Sequence, residues 1–326
     1  MIKYKIGIQL TKNLEKYLRL ISNFKTKNNI EFYHISDNNI LKQKFKDLDI
    51  LLTHRINEKL FSFSSQKLKW IHFGSAGIED SLFSSLLKSK TIITNSSGIH
   101  ADSVSEFVIA RILYFAKQFN SCDKFYKNKQ WNQWEIAKKM QNLKDKTIGI
   151  IGYGSIGKAI ASKAKSFGMR IIAIRRLQKK IENKKSVDHL IPLNKLDFLL
   201  KESDYIIISC PLTKMTRGMI SKNEFKKMKK TSYIINIARG PIVDESYLIK
   251  NLKENKIAGA ALDVFDQEPL PKNNELFELD NVLLSPHISG NFPNYNELVM
   301  NLFKDNFCRF ENKKPLKNRV CKKRLY

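Results

Sequence analysis

The sequence predicts an α/β protein built from two doubly wound parallel-sheet domains. Its 326 residues, 42% of them hydrophobic, suffice for two domains of ordinary size. Short apolar segments alternate with amphipathic stretches along both halves of the chain, which is typical of parallel sheets covered by helices. No run of about 18 apolar residues interrupts this alternation, so we expect no membrane span.

The first hundred residues contain five segments with the composition of short strands, separated or followed by segments with helical spacing of apolar residues. The predicted strands are residues 5–10, 31–36, 49–54, 69–74 and 91–96. The predicted helices are residues 14–24, 79–89 and, beyond the fifth strand, 101–119.

The second half repeats this alternation. Its predicted strands are residues 147–152, 170–175, 205–210, 232–238, 257–265 and 281–286. The polar stretch 127–146 is predicted as a connector, and a last helix is predicted over roughly 293–310. Because ligands of open α/β sheets bind outside the carboxyl ends of the strands, side chains directly after these strands are the first candidates for a site.

A glycine-rich turn follows the first strand of the second half. Gly152, Gly154 and Gly157 form the pattern G-x-G-x-x-G between an apolar strand and an amphipathic helix. In this context the glycines permit a tight turn and a close approach of the pyrophosphate, which lies on the free N–H groups of the helix N-terminus. The turn therefore predicts a dinucleotide cofactor.

Arg175 and Arg176 stand at the end of the next predicted strand, where enzymes that use NAD usually have Asp or Glu. A guanidinium can bind a 2′-phosphate bidentately, and the missing carboxylate removes like-charge repulsion. The pair predicts a preference for NADP(H), with NAD(H) as the second cofactor. The alternative is that both arginines simply face solvent in a lysine-rich protein.

The charge, the cysteines and the histidines limit the classes of function. The chain has 58 Lys and Arg against 31 Asp and Glu, a net charge of +27, but no nucleic-acid-binding motif accompanies its basic runs, so a solvated basic surface is favoured over nucleic-acid binding. Four cysteines and six histidines are scattered without ligand spacing, and we expect neither disulfides nor a metal site. The N-terminus has no features of a signal peptide, which predicts a cytoplasmic protein.

Four reactive side chains lie at or just after predicted strand ends in the second half. Arg239 follows the strand 232–238, Asp263 ends the next strand with Glu268 in the turn beyond, and His287 follows the last strand. An arginine can bind a carboxylate, a histidine can move a proton near neutral pH, and a carboxylate can orient that histidine. Together these groups suit hydride transfer to a 2-keto acid.

At these residues the chain resembles the D-isomer-specific 2-hydroxyacid dehydrogenases. The resemblance covers almost the whole length, through the stretches GSAGIED, NSSGIHADSVSEFVIA, IGIIGYGSIGKAIASKAKSFGMRIIAIRR, CPLTKMTRGMI, INIARGPIVDESYL, ALDVFDQEPLP and SPHISG. It implies a Rossmann cofactor domain, residues 99–287, inserted into a discontinuous flavodoxin-like substrate domain, residues 1–98 plus 288–326. The active site is then expected in the cleft between the two domains.

The resemblance also implies roles for single residues. Arg239 is expected to bind the substrate carboxylate and keto oxygen, His287 to act as the acid or base, and Glu268 to orient His287 and favour its protonated form. The N–H groups of Ser75, Ala76 and Gly77 are expected to hold the substrate carboxylate, with Arg55 as a further substrate contact. Asp263 is expected to bind the nicotinamide carboxamide, and Cys210 is expected to be a buried lining residue rather than a nucleophile. The full set of implied cofactor-binding residues is Gly152, Tyr153, Gly154, Ser155, Ile156, Gly157, Arg175, Arg176, Cys210, Pro211, Ala238, Asp263 and Gly290.

The expected function is the NADPH-preferring reduction of a small 2-keto acid, most plausibly glyoxylate or hydroxypyruvate. Three alternatives stay open at this point: a short NAD-linked 3-phosphoglycerate dehydrogenase, a non-catalytic dinucleotide sensor, and nucleic-acid binding through the basic surface. Because relatives dimerise through the region of the helix 101–119, a homodimer is also expected.

Overall fold

The computed structural model describes residues 4–22, 24, 29–184 and 186–323. Residue 23 of the helix predicted at 14–24 lies outside these ranges. The chain divides into two compact units: unit 1 comprises Met1–Ile99 and Phe292–Tyr326, and unit 2 comprises His100–Asn291. Substrate binding was predicted for residues 1–98 with 288–326, and cofactor binding for residues 99–287. These roles stay predictions.

Thirteen strands and twelve α-helices are found in the described ranges. The strands are β1 Tyr4–Gln9, β2 Ile30–His34, β3 Ile50–Thr53, β4 Trp70–Phe73, β5 Ile92–Asn95, β6 Thr147–Ile151, β7 Arg170–Ile174, β8 Glu182–Lys184, β9 Val187–Ile191, β10 Tyr205–Ile208, β11 Tyr233–Asn236, β12 Gly259–Leu262 and β13 Val282–Leu284. The helices are α1 Leu14–Ser22, α2 Asn38–Lys44, α3 Glu58–Phe61, α4 Ser84–Lys88, α5 Ala101–Ala116, α6 Phe119–Asn128, α7 Gln133–Ala137, α8 Ser155–Ser166, α9 Leu196–Glu202, α10 Lys222–Phe225, α11 Glu245–Lys253 and α12 Tyr295–Glu311.

Unit 1 contains a parallel five-stranded sheet in the order β2-β1-β3-β4-β5. The register places Ile6 of β1 opposite Phe32 on one side and Ile50 on the other. All five predicted strands are confirmed, and the strand order is that of flavodoxin-like folds. The C-terminal helix α12 returns to this sheet, where the ring of Phe303 stacks on Trp70 at 4.9 Å between centroids.

Unit 2 contains an eight-stranded sheet in the order β13-β12-β11-β10-β6-β7-β9-β8. Every pair is parallel except β8 with β9. The order reverses between β6 and β10, which is the switch point of a Rossmann-type sheet. On one face of this sheet, helix α5 packs Val108 and Ile112 into the same core as Ile160 and Ala164 of α8.

Two parts of unit 2 differ from the prediction. The strands β8 and β9 were not predicted, and neither were the helices α6 and α7, which overlap or lie within the predicted connector. Within the described residues neither α6 nor α7 contains a buried residue, although Phe119, Cys122 and Tyr126 of α6 recur at helical spacing and were a signal for that helix. The long helix predicted at 101–119 ends earlier, at Ala116.

Among the helices of the described residues, none has the length and apolar character needed to cross a membrane.

Tyr205 of β10 offers a test of the core of unit 2. Its ring is 1% exposed and stacks on Tyr233 at 5.5 Å, but within the described residues its hydroxyl has no hydrogen-bond partner. Because an unpaired buried hydroxyl costs about 1–3 kcal/mol, Tyr205→Phe is expected to leave the free energy of unfolding unchanged or to raise it, as measured by urea denaturation. The control Tyr114→Phe removes a 2.8 Å bond to Asp123 and should instead destabilise slightly. A clear loss of stability in Tyr205→Phe would contradict this account of the hydroxyl.

Candidate active site

The glycine turn after β6 is shaped by two close backbone approaches. Gly152 has φ +112°, and a Cβ atom there would lie 2.6 Å from the backbone nitrogen of Cys210. A Cβ atom at Gly157 would lie 2.3 Å from the carbonyl oxygen of Gly152. No larger residue fits at either position without moving the backbone, so the turn requires glycine twice.

The start of α8 faces open space. Gly154 is the N-cap residue, and a Cβ atom added there would have no protein atom within 4 Å among the described residues. No side chain caps this helix end in the described structure, so the N–H groups of Ser155, Ile156 and Gly157 keep their donors available. Such donors at a helix N-terminus, together with the helix dipole, suit a pyrophosphate. The residues of the turn therefore fit a dinucleotide.

Arg175 lies beside this turn. The N–H groups of Gly152 and Tyr153 both donate to the carbonyl oxygen of Ile174, at 3.1 and 2.9 Å, which ties the turn to the residue before Arg175. Burial raises the pKa of the Tyr153 hydroxyl, and the positive charge of Arg175 opposes that rise. Arg175 and Arg176 are both exposed, at the point where a 2′-phosphate was predicted to bind.

Cys210 and Ala238 follow the neighbouring strands β10 and β11. Burial raises the pKa of the Cys210 thiol to about 12, so the thiol is protonated at neutral pH, in keeping with a lining role rather than a nucleophilic one. Ala238 is 9% exposed, and its N–H donates to the Asn236 side chain at 3.1 Å. Pro211, also predicted at the cofactor, is exposed.

Arg239 stands in a turn fixed by a buried asparagine. The amide nitrogen of Asn236 donates to the carbonyl oxygen of Arg239 at 3.0 Å, so Asn236 bonds both sides of the turn. The Arg239 guanidinium donates to the carbonyl of Ala238 at 2.7 Å. A Cβ atom at Gly240 would lie 1.9 Å from the carbonyl carbon of Phe265, so the turn presses directly on the chain after β12.

Glu268 and His287 are brought together. The Nδ1 atom of His287 lies 2.7 Å from Oε2 of Glu268, while Oε1 of Glu268 accepts the N–H of Phe265 at 3.0 Å. The Glu268 carboxylate therefore has a fixed orientation, and its bond leaves Nε2 of His287 as the nitrogen for a further partner. His287 has φ +53°, a left-handed conformation that non-glycine residues seldom adopt.

Asp263 is buried, and its carboxylate bonds the chain around His287. It accepts the hydroxyl of Ser285 at 2.7 Å and the N–H groups of Ile288 and Ser289, each at 2.9 Å. Three of its approximately four acceptor positions are thus occupied by the protein itself. The predicted bond to a nicotinamide carboxamide stays a prediction for the remaining position.

In unit 1, three successive peptide groups after β4 have their carbonyl oxygens bound to the protein. The carbonyl of Gly74 accepts the hydroxyl of Tyr295, that of Ser75 accepts the N–H of Ser96 at 3.1 Å, and that of Ala76 accepts the amide of Asn95 at 2.7 Å. In a planar trans peptide the N–H points away from the C=O.

The N–H groups of Ser75, Ala76 and Gly77 each point away from a carbonyl group that the protein itself binds. Within the ranges that the structure describes, these three amides find no acceptor. Successive backbone N–H groups without an acceptor can bind an anion where they converge.

Arg55 is placed differently from the other predicted substrate contacts. Its guanidinium forms a 2.7 Å ion pair with Asp80, and both side chains are more than 70% exposed, at 73% and 72%. An exposed ion pair of this kind contributes little to stability, so Arg55 can leave Asp80 for another anionic partner at small cost in free energy. A substrate contact by Arg55 stays a prediction.

Three residues that hold the site were missed by the sequence analysis, namely Asn95, Asn236 and Tyr295. Asn95 and Asn236 end the buried strands β5 and β11, and a polar residue at the end of an apolar strand is a signal that the sequence did contain. Tyr295 begins α12, some 220 residues from the carbonyl it binds, and no local pattern marks it.

Comparisons with known proteins address the family directly. A family model described as D-isomer specific 2-hydroxyacid dehydrogenase, NAD binding domain, matches residues 109–289. A glyoxylate reductase of Thermofilum pendens is 40% identical over 258 residues, which cover 77% of this chain and 74% of that protein. The chain belongs to the family of D-isomer specific 2-hydroxyacid dehydrogenases.

Further relatives agree with this family assignment. A glyoxylate reductase of Thermococcus onnurineus is 36% identical over 287 residues, covering 86% of this chain and 84% of its own. Among solved structures, the NADPH-dependent glyoxylate/hydroxypyruvate reductase of Sinorhizobium meliloti, in complex with NADP and sulfate, superposes with a TM-score of 0.85 at 22% identity over 99% of this chain and 100% of that one. That likeness concerns the fold.

Membership of the dehydrogenase family confirms two predictions, the Rossmann-type fold of unit 2 and a nicotinamide dinucleotide as cofactor. The matched NAD-binding domain, 109–289, lies entirely within unit 2. The chain is an NAD(P)-dependent oxidoreductase.

The contact of Gly240 with Phe265 can be tested by a matched pair of variants. Gly240→Ala places a methyl group against backbone atoms that cannot yield, and is expected to lower the free energy of unfolding by about 1–3 kcal/mol. In Gly154→Ala the new methyl group meets no protein atom, so folding should be nearly unchanged while cofactor affinity falls. Denaturation and cofactor titration distinguish the two, and equal stabilities would contradict the close approach at Gly240.

Proposed function

We propose that this dehydrogenase reduces a small 2-keto acid, glyoxylate or hydroxypyruvate, to the D-2-hydroxy acid, with NADPH as the preferred reductant. The observation that carries the proposal is the 2.7 Å contact between His287, which follows β13, and Glu268. The next two strands in the sheet, β12 and β11, are followed by Asp263 and Arg239. The two relatives named above, which are 40% and 36% identical to this chain over the aligned residues, are glyoxylate reductases.

In this proposal the residues of unit 2 act on the keto group. When bound, the reduced nicotinamide supplies the hydride that adds to the keto carbon. Arg239 binds the carboxylate and polarises the keto oxygen through its guanidinium. His287 donates the proton at Nε2 to the developing alkoxide and becomes neutral, while Glu268 holds the ring by accepting the Nδ1 hydrogen. In the oxidative direction His287 takes the hydroxyl proton.

The peptide groups of unit 1 supply the substrate carboxylate site in this proposal. In this proposal the N–H groups of Ser75, Ala76 and Gly77 bind the carboxylate, since the carbonyls of the same three peptides are already bound by Tyr295, Ser96 and Asn95. An anion there receives charge-assisted hydrogen bonds without any rearrangement of the backbone. Unit 1 is accordingly proposed as the substrate domain and unit 2 as the cofactor domain.

We further infer a homodimer that associates through the region of α5 to α7. Four large aromatic side chains of α6, α7 and their link are exposed: Phe119 at 47%, Tyr126 at 82%, Trp131 at 80% and Trp134 at 72%. Exposed aromatic groups this close in sequence are typical of a protein–protein interface. We also propose a cytoplasmic location, to which the free thiols of Cys122, Cys210 and Cys308 are suited.

His287→Ala tests the proposed acid. Loss of a general acid is expected to lower kcat for glyoxylate reduction about 10²–10⁴-fold, with the Kd for NADPH nearly unchanged because His287 bonds Glu268 and not the glycine turn. The control His189→Ala changes a histidine of β9, and should leave both constants as they are. A His287→Ala enzyme with the turnover of the unmodified chain would remove the proposed mechanism.

Arg175 and Arg176 are tested by changing both. Arg175→Asp with Arg176→Ala removes the charged hydrogen bonds to a 2′-phosphate and restores a carboxylate for the ribose hydroxyls. The ratio of kcat/KM for NADPH to that for NADH is expected to move toward NADH by about 1–3 kcal/mol, or roughly 5- to 150-fold. Lys201→Asp, a charge reversal on α9, controls for the overall change in charge. An unchanged ratio would show that the arginines only face solvent.

A further inference from the structure

The short segment after His287 is held on one side by Asp263. The carboxylate accepts the N–H groups of Ile288 and Ser289, each at 2.9 Å, and the hydroxyl of Ser285 at 2.7 Å. The N–H of His287 itself donates to the carbonyl of Ser285 at 3.0 Å. The amide hydrogens of residues 287–289 are therefore all directed inward.

The carbonyl groups of the same segment are held from a second element, the start of α5. His100, the N-cap residue of α5, has its Nδ1 atom 3.0 Å from the carbonyl oxygen of Gly290. Ser103, one turn into the helix, donates its hydroxyl to the carbonyl of Ser289 at 2.9 Å. The first bond joins residues 190 positions apart in the sequence, and the second joins residues 186 positions apart.

The hydrogen bond from His100 has a defined donor, and the absence of a side chain at Gly290 leaves room for the imidazole ring. A carbonyl oxygen only accepts, so Nδ1 carries the hydrogen. Burial and the nearby charge of Arg239 lower the pKa of His100, with burial the larger cause, so the ring is neutral with this hydrogen on Nδ1. A Cβ atom at Gly290 would lie 3.0 Å from that nitrogen, and glycine there leaves room for the ring.

His287 needs support of this kind. Its φ of +53° lies in the left-handed region, which most non-glycine residues adopt at a cost in free energy. Its ring meets Glu268 at 2.7 Å although the side chain is about half exposed, at 48%, so packing alone does not fix the ring. The backbone that carries the ring must therefore be held from elsewhere.

We propose that His100 and Ser103 are positioning residues for His287: by binding the carbonyls of Gly290 and Ser289 opposite Asp263, they hold the His287 backbone where its imidazole reaches Glu268 and the substrate. This inference rests on the proposed role of His287 as acid. It assigns a role in the reaction to the first turn of α5, which carries none of the groups that act on the substrate.

The test uses four variants assayed with NADPH and glyoxylate. His100→Ala removes the donor, and a displacement of His287 by about 1 Å is expected to lower kcat about 10- to 100-fold, with the Kd for NADPH within twofold. His100→Asn offers its amide nitrogen near the position of Nδ1 and is expected to recover most of the loss. Ser103→Ala should lower kcat in the same way but less.

The matched control is Ser105→Ala. Ser105 lies on the same helix, is fully buried, and within the described part of the chain its hydroxyl donates to the carbonyl of Asp102 in α5. Its removal tests whether any lost serine hydroxyl on this helix lowers kcat. Thermal melting establishes that each variant is folded; should His100→Ala not fold, Ser103→Ala decides the matter, since it deletes one hydroxyl.

A double-mutant cycle separates positioning from a general structural effect. In a His287→Ala background, His100→Ala is expected to have no further effect on the residual rate, because the residue that it positions is gone. The same fold loss in both backgrounds would overturn the proposal, as would an unchanged kcat in His100→Ala alone. If His287→Ala itself keeps full turnover, the proposed function fails and this inference fails with it; if His287→Ala is inactive while His100→Ala is not, this inference alone fails.

Discussion

The site in unit 2 depends on one property of parallel sheets, which is that strands running in the same direction end at the same edge. Six neighbouring strands of this sheet, in the spatial order β7, β6, β10, β11, β12 and β13, are each followed by one residue of the candidate site. Arg175 follows β7, Gly152 follows β6, Cys210 follows β10, Arg239 follows β11, and Asp263 follows β12, while His287 comes shortly after β13. A residue of the chain enters the site by standing at the end of a strand, whatever its place in the sequence.

Hydrogen bonds between side chains and the backbone hold the groups of this site in place. The turn of Arg239 is bonded by Asn236, the carboxylate of Glu268 by the N–H of Phe265, and the segment after His287 by Asp263. In unit 1 the carbonyls of Gly74, Ser75 and Ala76 are likewise bound by the protein itself, which fixes the orientation of each of these peptide groups. Each functional group is oriented by a neighbour that is itself buried or bonded twice, which keeps the geometry from relaxing before a substrate binds.

The local part of this arrangement was predictable and the long-range part was not. Apolar strands and the G-x-G-x-x-G turn have local signatures, and all eleven predicted strands are present. The hairpin of β8 and β9 escaped because β8 has three polar residues, Glu182–Lys184, with no alternation. Helix α7 was not predicted because five residues are too few to show a helical period, whereas the helical spacing of Phe119, Cys122 and Tyr126 in α6 was overlooked. The bonds of His100 and Tyr295 join positions about 200 residues apart, and no period or spacing in one sequence reports such a pair.

In the proposed reaction a reduced nicotinamide cofactor reduces a small keto acid, and Arg175 and Arg176 select the phosphorylated cofactor. The most direct measurement is the oxidation of NADPH and of NADH, followed at 340 nm, with glyoxylate, hydroxypyruvate, pyruvate and phosphohydroxypyruvate as substrates for the purified chain. We predict that NADPH is oxidised fastest, with glyoxylate or hydroxypyruvate. Oxidation of NADH alone, with phosphohydroxypyruvate as the best substrate, would contradict the account, and binding of both cofactors without any oxidation would contradict it more completely.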